Sequence, residues 1–223
     1  MGENLVEIDG MKRYYEMVSG TVKALDGVDL EVKGGERIIL LGPSGSGKTT
    51  LLNCIAALDS PTAGTYSFEG KEVPRNAPEE MTTFRRENIG YVFQFFNLLQ
   101  DLTVLENLLL IQELAGGRDE KRARELLALV GLEDEVDRFP TEISGGQQQR
   151  VAIARSLAKK PKLLLGDELT GNLDTKTSSM VMEVLVKACE AEGITTVFVT
   201  HDESLIKFAT RVIRLDSGIV ISD

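Results

Sequence analysis

The chain has 223 residues and a formal net charge of −10, with 42 % hydrophobic and 27 % charged residues. These values are ordinary for a soluble globular domain with a sizeable core, and the acidic balance argues against general binding to nucleic acid or to an anionic bilayer. No run of about 18 apolar residues occurs, so no membrane span is predicted. Cys54 and Cys189 lie far apart without metal-ligand spacing and are expected to be reduced thiols.

Strand and helix patterns alternate along most of the chain. The segment up to residue 32 is turn-rich and alternating, which is typical of a small antiparallel sheet. The predicted strands are 37–41, 89–93, 163–165 and 196–200, followed by a hairpin of 211–215 and 218–221. The predicted helices are 48–58, 104–114, 120–130, 145–159 and 176–191.

This alternation predicts an α/β fold in which helices cover a parallel sheet. Residues 95–158 are nearly free of strand patterns, and we expect them to form an inserted helical subdomain. The α/β core, including the antiparallel part, is then expected from residues 1–94 and 159–223 of a single domain 1–223.

A glycine-rich segment lies between the first apolar strand of this core and the helix that follows it. Its residues are Gly42, Pro43, Ser44, Gly45, Ser46, Gly47, Lys48 and Thr49, with Thr50 next among the binding candidates. Glycines let successive amides face one anion, and the helix adds its positive end. Lys48 is suited to reach the β- and γ-phosphates and Thr49 to ligate Mg²⁺, so this spacing predicts a nucleotide-binding P-loop. The motif alone does not separate transporters from kinases, GTPases or helicases.

Two adjacent carboxylates, Asp167 and Glu168, end the apolar strand that begins at residue 163. Desolvation opposes charge beside a buried strand, so the pair favours a function over a purely structural role. Next to a P-loop, Asp167 is a candidate Mg²⁺ ligand and Glu168 a candidate base that orients the attacking water. The alternative is a strand that simply emerges into solvent.

A second possible anion site lies at Ser144, Gly145, Gly146 and Gln147, before another predicted helix. Ser144 can cap that helix, and the glycines expose backbone amides. The segment 143–150 resembles the signature of the ABC ATPases, with Ile143 in place of the usual leucine. Two half-sites on one chain favour a two-fold dimer in which each copy completes the site of the other.

Other positions are similar to the same family, in the same order. Gln94 resembles the Q-loop glutamine that contacts Mg²⁺ and the attacking water, and His201 resembles the switch histidine at the γ-phosphate. Asp174 lies in 171–174, which resembles the D-loop at the dimer interface. Tyr15 resembles the aromatic residue that stacks on adenine, although the adjacent Tyr14 is an alternative and either tyrosine can instead be a packing residue.

The sequence departs from the family at two positions beside Glu168. Gly166 stands where alanine is usual, and Leu169 stands where proline is usual. Proline would restrict the backbone, so Leu169 is expected to loosen it and to slow hydrolysis without abolishing it.

The resemblance implies an ATP- and Mg²⁺-dependent ATPase that works as a homodimer on the cytoplasmic face of a membrane permease, with no nucleic-acid partner. Segments 84–98 and 103–107 look most like the lipoprotein-release and macrolide-export branch, and the cell-division ATPase is also similar. The apolar segment 95–99 is a candidate docking groove for a permease helix, or internal packing of the helical subdomain. The alternatives are an ATPase of a small-solute importer and a soluble ABC ATPase without a transport role. A P-loop kinase would not need the Ser144 segment.

Overall fold

The computed structural model describes residues 3–18, 20–169, 171 and 175–223. The strands are β1 (Asn4–Met17), β2 (Gly20–Lys33), β3 (Arg37–Leu41), β4 (Ala63–Phe68), β5 (Lys71–Glu72), β6 (Ile89–Val92), β7 (Leu163–Asp167), β8 (Thr195–Val199), β9 (Arg211–Asp216) and β10 (Ile219–Ser222). The α-helices are α1 (Lys48–Ile55), α2 (Pro78–Asn88), α3 (Val104–Leu114), α4 (Glu120–Leu129), α5 (Gly145–Leu157) and α6 (Thr175–Glu192). Short 3₁₀ helices occur at Pro140–Glu142 and Glu203–Phe208.

One compact unit comprises residues 1–85 and 195–223. Its N-terminal strands form an antiparallel sheet in the order β2-β1-β4-β5. In a separate group, β3 lies between the parallel strands β8 and β9, and β10 returns antiparallel to β9. The turn of this last hairpin lies at Ser217 and Gly218, whose φ values of 49° and 80° are the left-handed pair that a type I′ turn requires.

Helix α1 ends at Ile55, short of the predicted end at residue 58, so that boundary was wrong. Ala57 has a left-handed φ of 50°, which interrupts the helical conformation. The N–H of Leu58 then donates to the carbonyl oxygen of Asn53 at 2.9 Å and closes the last turn. Glycine is the usual residue at such a position, and its absence hid the helix end from the sequence pattern.

The other compact unit comprises residues 86–194 and contains β6, β7 and α3 to α6. The two strands are parallel, with Gly90 opposite Leu164. Helix α5 packs on β6 and contacts α3, α4 and α6. The core is aliphatic, and Leu108, Leu126 and Val151 are fully buried. The segment 95–158, expected to form a helical subdomain, lies within this unit and contributes α3, α4 and α5.

The predicted α/β class, with an antiparallel N-terminal sheet and parallel strands combined with helices, is confirmed. Helix α2 was not predicted, because its sequence is strongly charged and only Met81 and Phe84 are buried on it. Strand β7 extends beyond its apolar range 163–165 and includes Asp167, the first of the two carboxylates expected at its end. Within the described residues, no helix combines the length and the apolar character that a membrane crossing requires.

Candidate functional site

The glycine-rich loop 42–47 joins β3 to α1 and is closely surrounded by backbone. A Cβ on Gly42 would lie 2.1 Å from the carbonyl oxygen of Leu215, and a Cβ on Gly47 would lie 2.3 Å from that of Ala24. Gly47 also has a left-handed φ of 102°. Both positions therefore require glycine, because any side chain would collide with main-chain atoms.

The ammonium group of Lys48, the first residue of α1, is folded into the loop. Its Nζ donates to the carbonyl oxygens of Gly42 at 2.9 Å and Pro43 at 2.8 Å, and the residue is 8 % exposed. Gly47 caps α1 without a side-chain hydrogen bond, and the first turn has no acidic residue. The amides at this helix start have no partner within the helix and carry its positive dipole end, so loop, lysine and helix all favour an anion.

His201 belongs to the same unit as this loop. Strands β3 and β8 are parallel neighbours, with Leu40 opposite Val199, so the loop after β3 and His201 after β8 follow the same carboxyl edge. That edge is where parallel sheets place ligand contacts. The side chain of His201 is exposed.

Tyr15 is anchored by a carboxylate and a guanidinium. Its hydroxyl donates to Asp59 at 2.7 Å, and Arg13 binds both oxygens of the same carboxylate at 2.8 Å while its Cζ lies 4.4 Å from the Tyr15 ring centroid. Burial and the neighbouring Asp59 raise the pKa of Tyr15, against the opposing hydrogen bonds of Arg13 and Thr50. Burial alone would raise the pKa of Asp59, but hydrogen bonds from Tyr15, Arg13 and the Ser60 N–H outweigh it and hold that pKa below its ordinary value.

Tyr14 has a similar but separate set of partners. Its hydroxyl donates to Asp26, and the Lys23 ammonium lies 5.3 Å from its ring centroid. Thr50, in the first turn of α1, is a hydrogen-bond neighbour of the Tyr15 side chain and opposes the rise in its pKa. This contact favours Tyr15 as the residue beside the phosphate-binding loop.

In the other unit, the end of β7 turns sharply after its carboxylates. Asp167 and Glu168 are both half-buried, and Glu168 has a left-handed φ of 49°. The N–H of Gly171 donates to the carbonyl oxygen of Glu168 at 3.0 Å. Burial raises the pKa of Tyr91 on β6, and the charge of Asp167 adds to that shift, so the aspartate lies close to the neighbouring strand.

Gln94 follows β6 and approaches the same turn. A Cβ on Gly171 would lie 3.7 Å from the Nε2 atom of Gln94 and 3.8 Å from the Cβ atom of Glu168, which are ordinary contact distances. The structure therefore brings Gln94, Asp167 and Glu168 together on the carboxyl side of β6 and β7.

The segment 144–147 starts α5 with a complete capping box. Ser144 Oγ accepts from the Gln147 N–H at 3.3 Å, and Gln147 Oε1 accepts from the Ser144 N–H at 2.9 Å. A groove of about 370 Å³ opens beside this turn, lined by Ser144, Gly146, Gln147, Arg150, Thr177, Met180, Val181, Glu183, Val184 and Lys187. A Cβ on Gly146 would lie 2.9 Å from the Thr177 Cγ2 atom, so glycine lets α6 approach the helix start.

The predicted site residues thus fall into two described groups. Tyr15, residues 42–50 and His201 belong to one compact unit. Gln94, residues 144–147, Asp167 and Glu168 belong to the other. Asp174 lies outside the described residues.

Sequence analysis missed Arg13 and Asp59 as supports of Tyr15. Arg13 and Tyr15 are two residues apart on β1 and share a face of the strand, so alternation carried a usable signal for Arg13. Asp59 follows α1, far away in sequence, and no local pattern pointed to it.

A family model described as ABC transporter matches residues 25–171. The ATP-binding protein LolD of the lipoprotein-releasing system of Geobacter metallireducens is 44 % identical over 99 % of each chain. The macrolide export ATP-binding/permease protein MacB of Syntrophobacter fumaroxidans is 42 % identical over 97 % of this chain, which spans only 31 % of that relative. A structure of the ATP-binding cassette MJ0796, a dimer in a post-hydrolysis state with ADP and Pi, is 41 % identical over 97 % of each chain, with a TM-score of 0.88.

Proposed function

We propose that two copies of this chain, which belongs to the ABC transporter family and is an ATP-hydrolysing subunit, close around shared ATP and thereby drive a membrane permease. The observation that carries this proposal is the presence of two glycine-rich helix starts on one chain, at α1 and at α5. In a two-fold pair, the turn at Ser144 of each copy covers the triphosphate held by the loop of the other. The related cassette MJ0796, solved as a dimer with ADP and Pi, supports the same arrangement.

In the first half-site, the loop amides and Lys48 hold the phosphates and Tyr15 stacks on adenine. The buried Lys48 ammonium now lies on the carbonyl oxygens of Gly42 and Pro43, so ATP has to draw it toward the β- and γ-phosphates. Arg13 covers one face of Tyr15, so adenine has to stack on the opposite face.

Three of the predicted site residues carry donor atoms whose chemistry fits Mg²⁺. Thr49 offers a hydroxyl, Asp167 a carboxylate and Gln94 an amide oxygen, which are hard oxygen ligands of the kind this ion prefers. Substrate phosphates would supply further ligands to the ion. Bound Mg²⁺ neutralises phosphate charge.

Hydrolysis is assigned to Glu168, which accepts a proton from the attacking water or orients it. Gln94 lies against the same turn and is suited to hold that water. His201, in the loop after β8, contacts the γ-phosphate. On the other copy, Ser144, Gly145, Gly146 and Gln147 stabilise the γ-phosphate, and closure excludes bulk water.

The central experiment is Glu168→Gln, which keeps the shape of the side chain but removes the base. We expect the ATPase rate to fall about 10²–10⁴-fold, while ATP, no longer cleaved, holds a stable dimer in gel filtration. The matched control is the double variant Lys48→Ala/Glu168→Gln, which loses the phosphate contact and should remain monomeric. A Glu168→Gln protein that stays monomeric in saturating ATP contradicts the shared-nucleotide mechanism.

The permease contact is assigned to the apolar side chains that follow Gln94. Phe95 is 69 % exposed and Leu99 is 48 % exposed, whereas Leu98 is buried, so the segment both packs internally and presents an outer face. The loop is held from two helices. Arg155 of α5 donates to the carbonyl oxygen of Phe96 at 3.0 Å, and buried Asn107 of α3 binds the N–H of Leu99 at 2.9 Å.

A loop held by two helices and carrying an exposed aromatic side chain suits an apolar helix of a permease. A chain docked in this way would lie at the cytoplasmic face of the membrane. Phe95→Asp should abolish stimulation of the ATPase by the permease and leave basal activity unchanged. Leu114→Asp changes a similarly exposed apolar residue, 61 % exposed, on α3 and should have no effect on that stimulation. Equal stimulation of both variants contradicts the docking surface.

Within the family, we propose the lipoprotein-release or macrolide-export type of transporter. The near-complete match to LolD supports this assignment, and the MacB match covers about a third of that relative's length. The alternatives are the ATPase of a small-solute importer and a soluble ABC ATPase without a transport role. Copurification with the permease, followed by ATPase assays with candidate substrates, separates them, and a partner that requires a solute-binding protein would favour the importer.

A further inference from the structure

Strand β7 contains a glycine that its own backbone conformation does not require. Gly166 lies opposite Val92 in regular parallel register, and its φ is outside the left-handed region. A Cβ at this position would nevertheless lie 2.7 Å from the Cγ and Cδ2 atoms of Leu169 and 2.8 Å from its Cδ1 atom. The side chain of Leu169 thus occupies the volume that any other residue at position 166 would need.

Leu169 reaches Gly166 because the chain reverses between them. The left-handed φ of 49° at Glu168 is uncommon for a residue with a side chain. Although it follows two carboxylates, Leu169 is only 5 % exposed, and the Gly171 N–H closes the turn on the Glu168 carbonyl. Packing at one end and a hydrogen bond at the other therefore hold Glu168 in this conformation.

We propose that the contact between Leu169 and Gly166 positions Glu168 for hydrolysis. This inference rests on the proposed role of Glu168. Leu169 directly follows Glu168 in the chain, so a displacement of the leucine that reaches its backbone moves the Glu168 carboxylate relative to Gln94, whose Nε2 faces Gly171. A proline would restrain the backbone covalently, and the buried leucine restrains it by packing. Leu169 is therefore a positioning residue and does not loosen the backbone after Glu168.

The two departures from the family pattern therefore act as one unit, and a double-mutant cycle tests their coupling. Gly166→Ala forces Leu169 out of its place and should lower kcat about tenfold, with KM for ATP changed by less than about twofold. Leu169→Ala alone releases the restraint and should lower kcat by a smaller factor. Gly166→Ala/Leu169→Ala removes the collision and should regain most of the activity lost in Gly166→Ala.

The control is Leu163→Ala, which removes the same atoms from a buried leucine at the other end of β7. It should lower Tm without changing kcat per folded molecule. The proposal is overturned if the fold-changes in kcat of Gly166→Ala and Leu169→Ala simply multiply in the double variant. It is also overturned if Gly166→Ala has the kcat of wild type. If Gly166→Ala does not fold, equal kcat in Leu169→Ala and the double variant supports it, and a further drop in the double variant overturns it.

Glu168→Gln is measured in parallel. If it remains fully active, the proposed role of Glu168 is wrong and this inference fails with it. If it is inactive while positions 166 and 169 act independently, only the positioning contact is refuted.

Discussion

The two glycine-rich helix starts of this chain are stabilised by different means. At α1, the N-cap Gly47 is left-handed, no side chain caps the helix, and the carbonyl groups of Ala24 and Leu215 approach the loop closely. At α5, Ser144 is extended and exchanges two hydrogen bonds with Gln147 within one helical turn.

The difference shows that one glycine-rich motif can depend on contacts with distant parts of the chain, whereas a similar motif depends on neighbouring residues alone. The loop before α1 is enclosed by carbonyl groups of β2 and β9, which are distant in sequence and belong to different sheets, so it takes its shape only when both sheets are assembled. The start of α5 is specified by neighbouring residues and can form locally. We therefore expect a larger side chain to destabilise the loop before α1, and the loss of a single hydroxyl group to destabilise the start of α5.

The largest expected effect comes from adding a methyl group to the loop before α1. Gly47→Ala should lower the free energy of unfolding by more than about 3 kcal/mol, because its Cβ meets the Ala24 carbonyl. Gly45→Ala, also at positive φ but in open space, should cost about 1 kcal/mol. Urea denaturation measures both, and similar losses for the two variants would show that the close approach is not the constraint.

A smaller effect separates capping from nucleotide contact at α5. Ser144→Ala should cost about 1 kcal/mol of stability and also weaken ATP-dependent dimerisation. Thr103→Ala removes the equivalent cap of α3, where Thr103 and Glu106 form the same reciprocal bonds, and should cost a similar amount without affecting the dimer. Denaturation measures stability and gel filtration measures ATP-dependent dimerisation. If the two variants behave identically in both, Ser144 only caps the helix and does not contact the nucleotide.

The contacts of Asp59 with Tyr15 and Arg13 should contribute about 1 kcal/mol or less to the free energy of unfolding, and this contribution depends on pH. The pKa of Asp59 is lower in the folded chain than its ordinary value, so its stabilisation is present above the ordinary pKa and disappears as the pH falls through the lower, folded pKa. The Asp59→Asn variant should therefore lose less stability than wild type as the pH falls below about 4. Parallel acid titrations of Tm for wild type and variant test this, and curves of the same shape would refute it.

The smallest effect concerns the thiols, one in each compact unit. Burial raises the pKa of Cys54 to about 12, and both Cys54 and Cys189 are buried. Neither should react with a thiol reagent at about pH 8 in the native protein, and both should react in denaturant. Mass spectrometry of the labelled peptides identifies the site, and rapid native labelling of Cys54 would contradict its burial.

Local signals explain which elements were predicted from sequence. Helix α3 has the predicted bounds, because Thr103 and Glu106 mark its start and apolar residues repeat along it. The end of α1 was missed because Ala57 adopts a conformation that glycine usually supplies. Asp59 was missed as a support of Tyr15 because it comes from a distant part of the sequence. The contact between Gly166 and Leu169 was missed because it depends on a left-handed turn at Glu168, a conformation that the sequence does not mark with glycine.

The sequence by itself determined the α/β class, the order of the motifs and the family, because those depend on periodicity and on glycine, lysine and carboxylate residues at set spacings. Only the tertiary structure decided that Asp59 anchors Tyr15, that Lys48 is buried in its own loop, and that Leu169 fills the space above Gly166. The physical reason is that collisions, ion pairs and burial are properties of atoms brought together by folding, and residue spacing does not encode them directly.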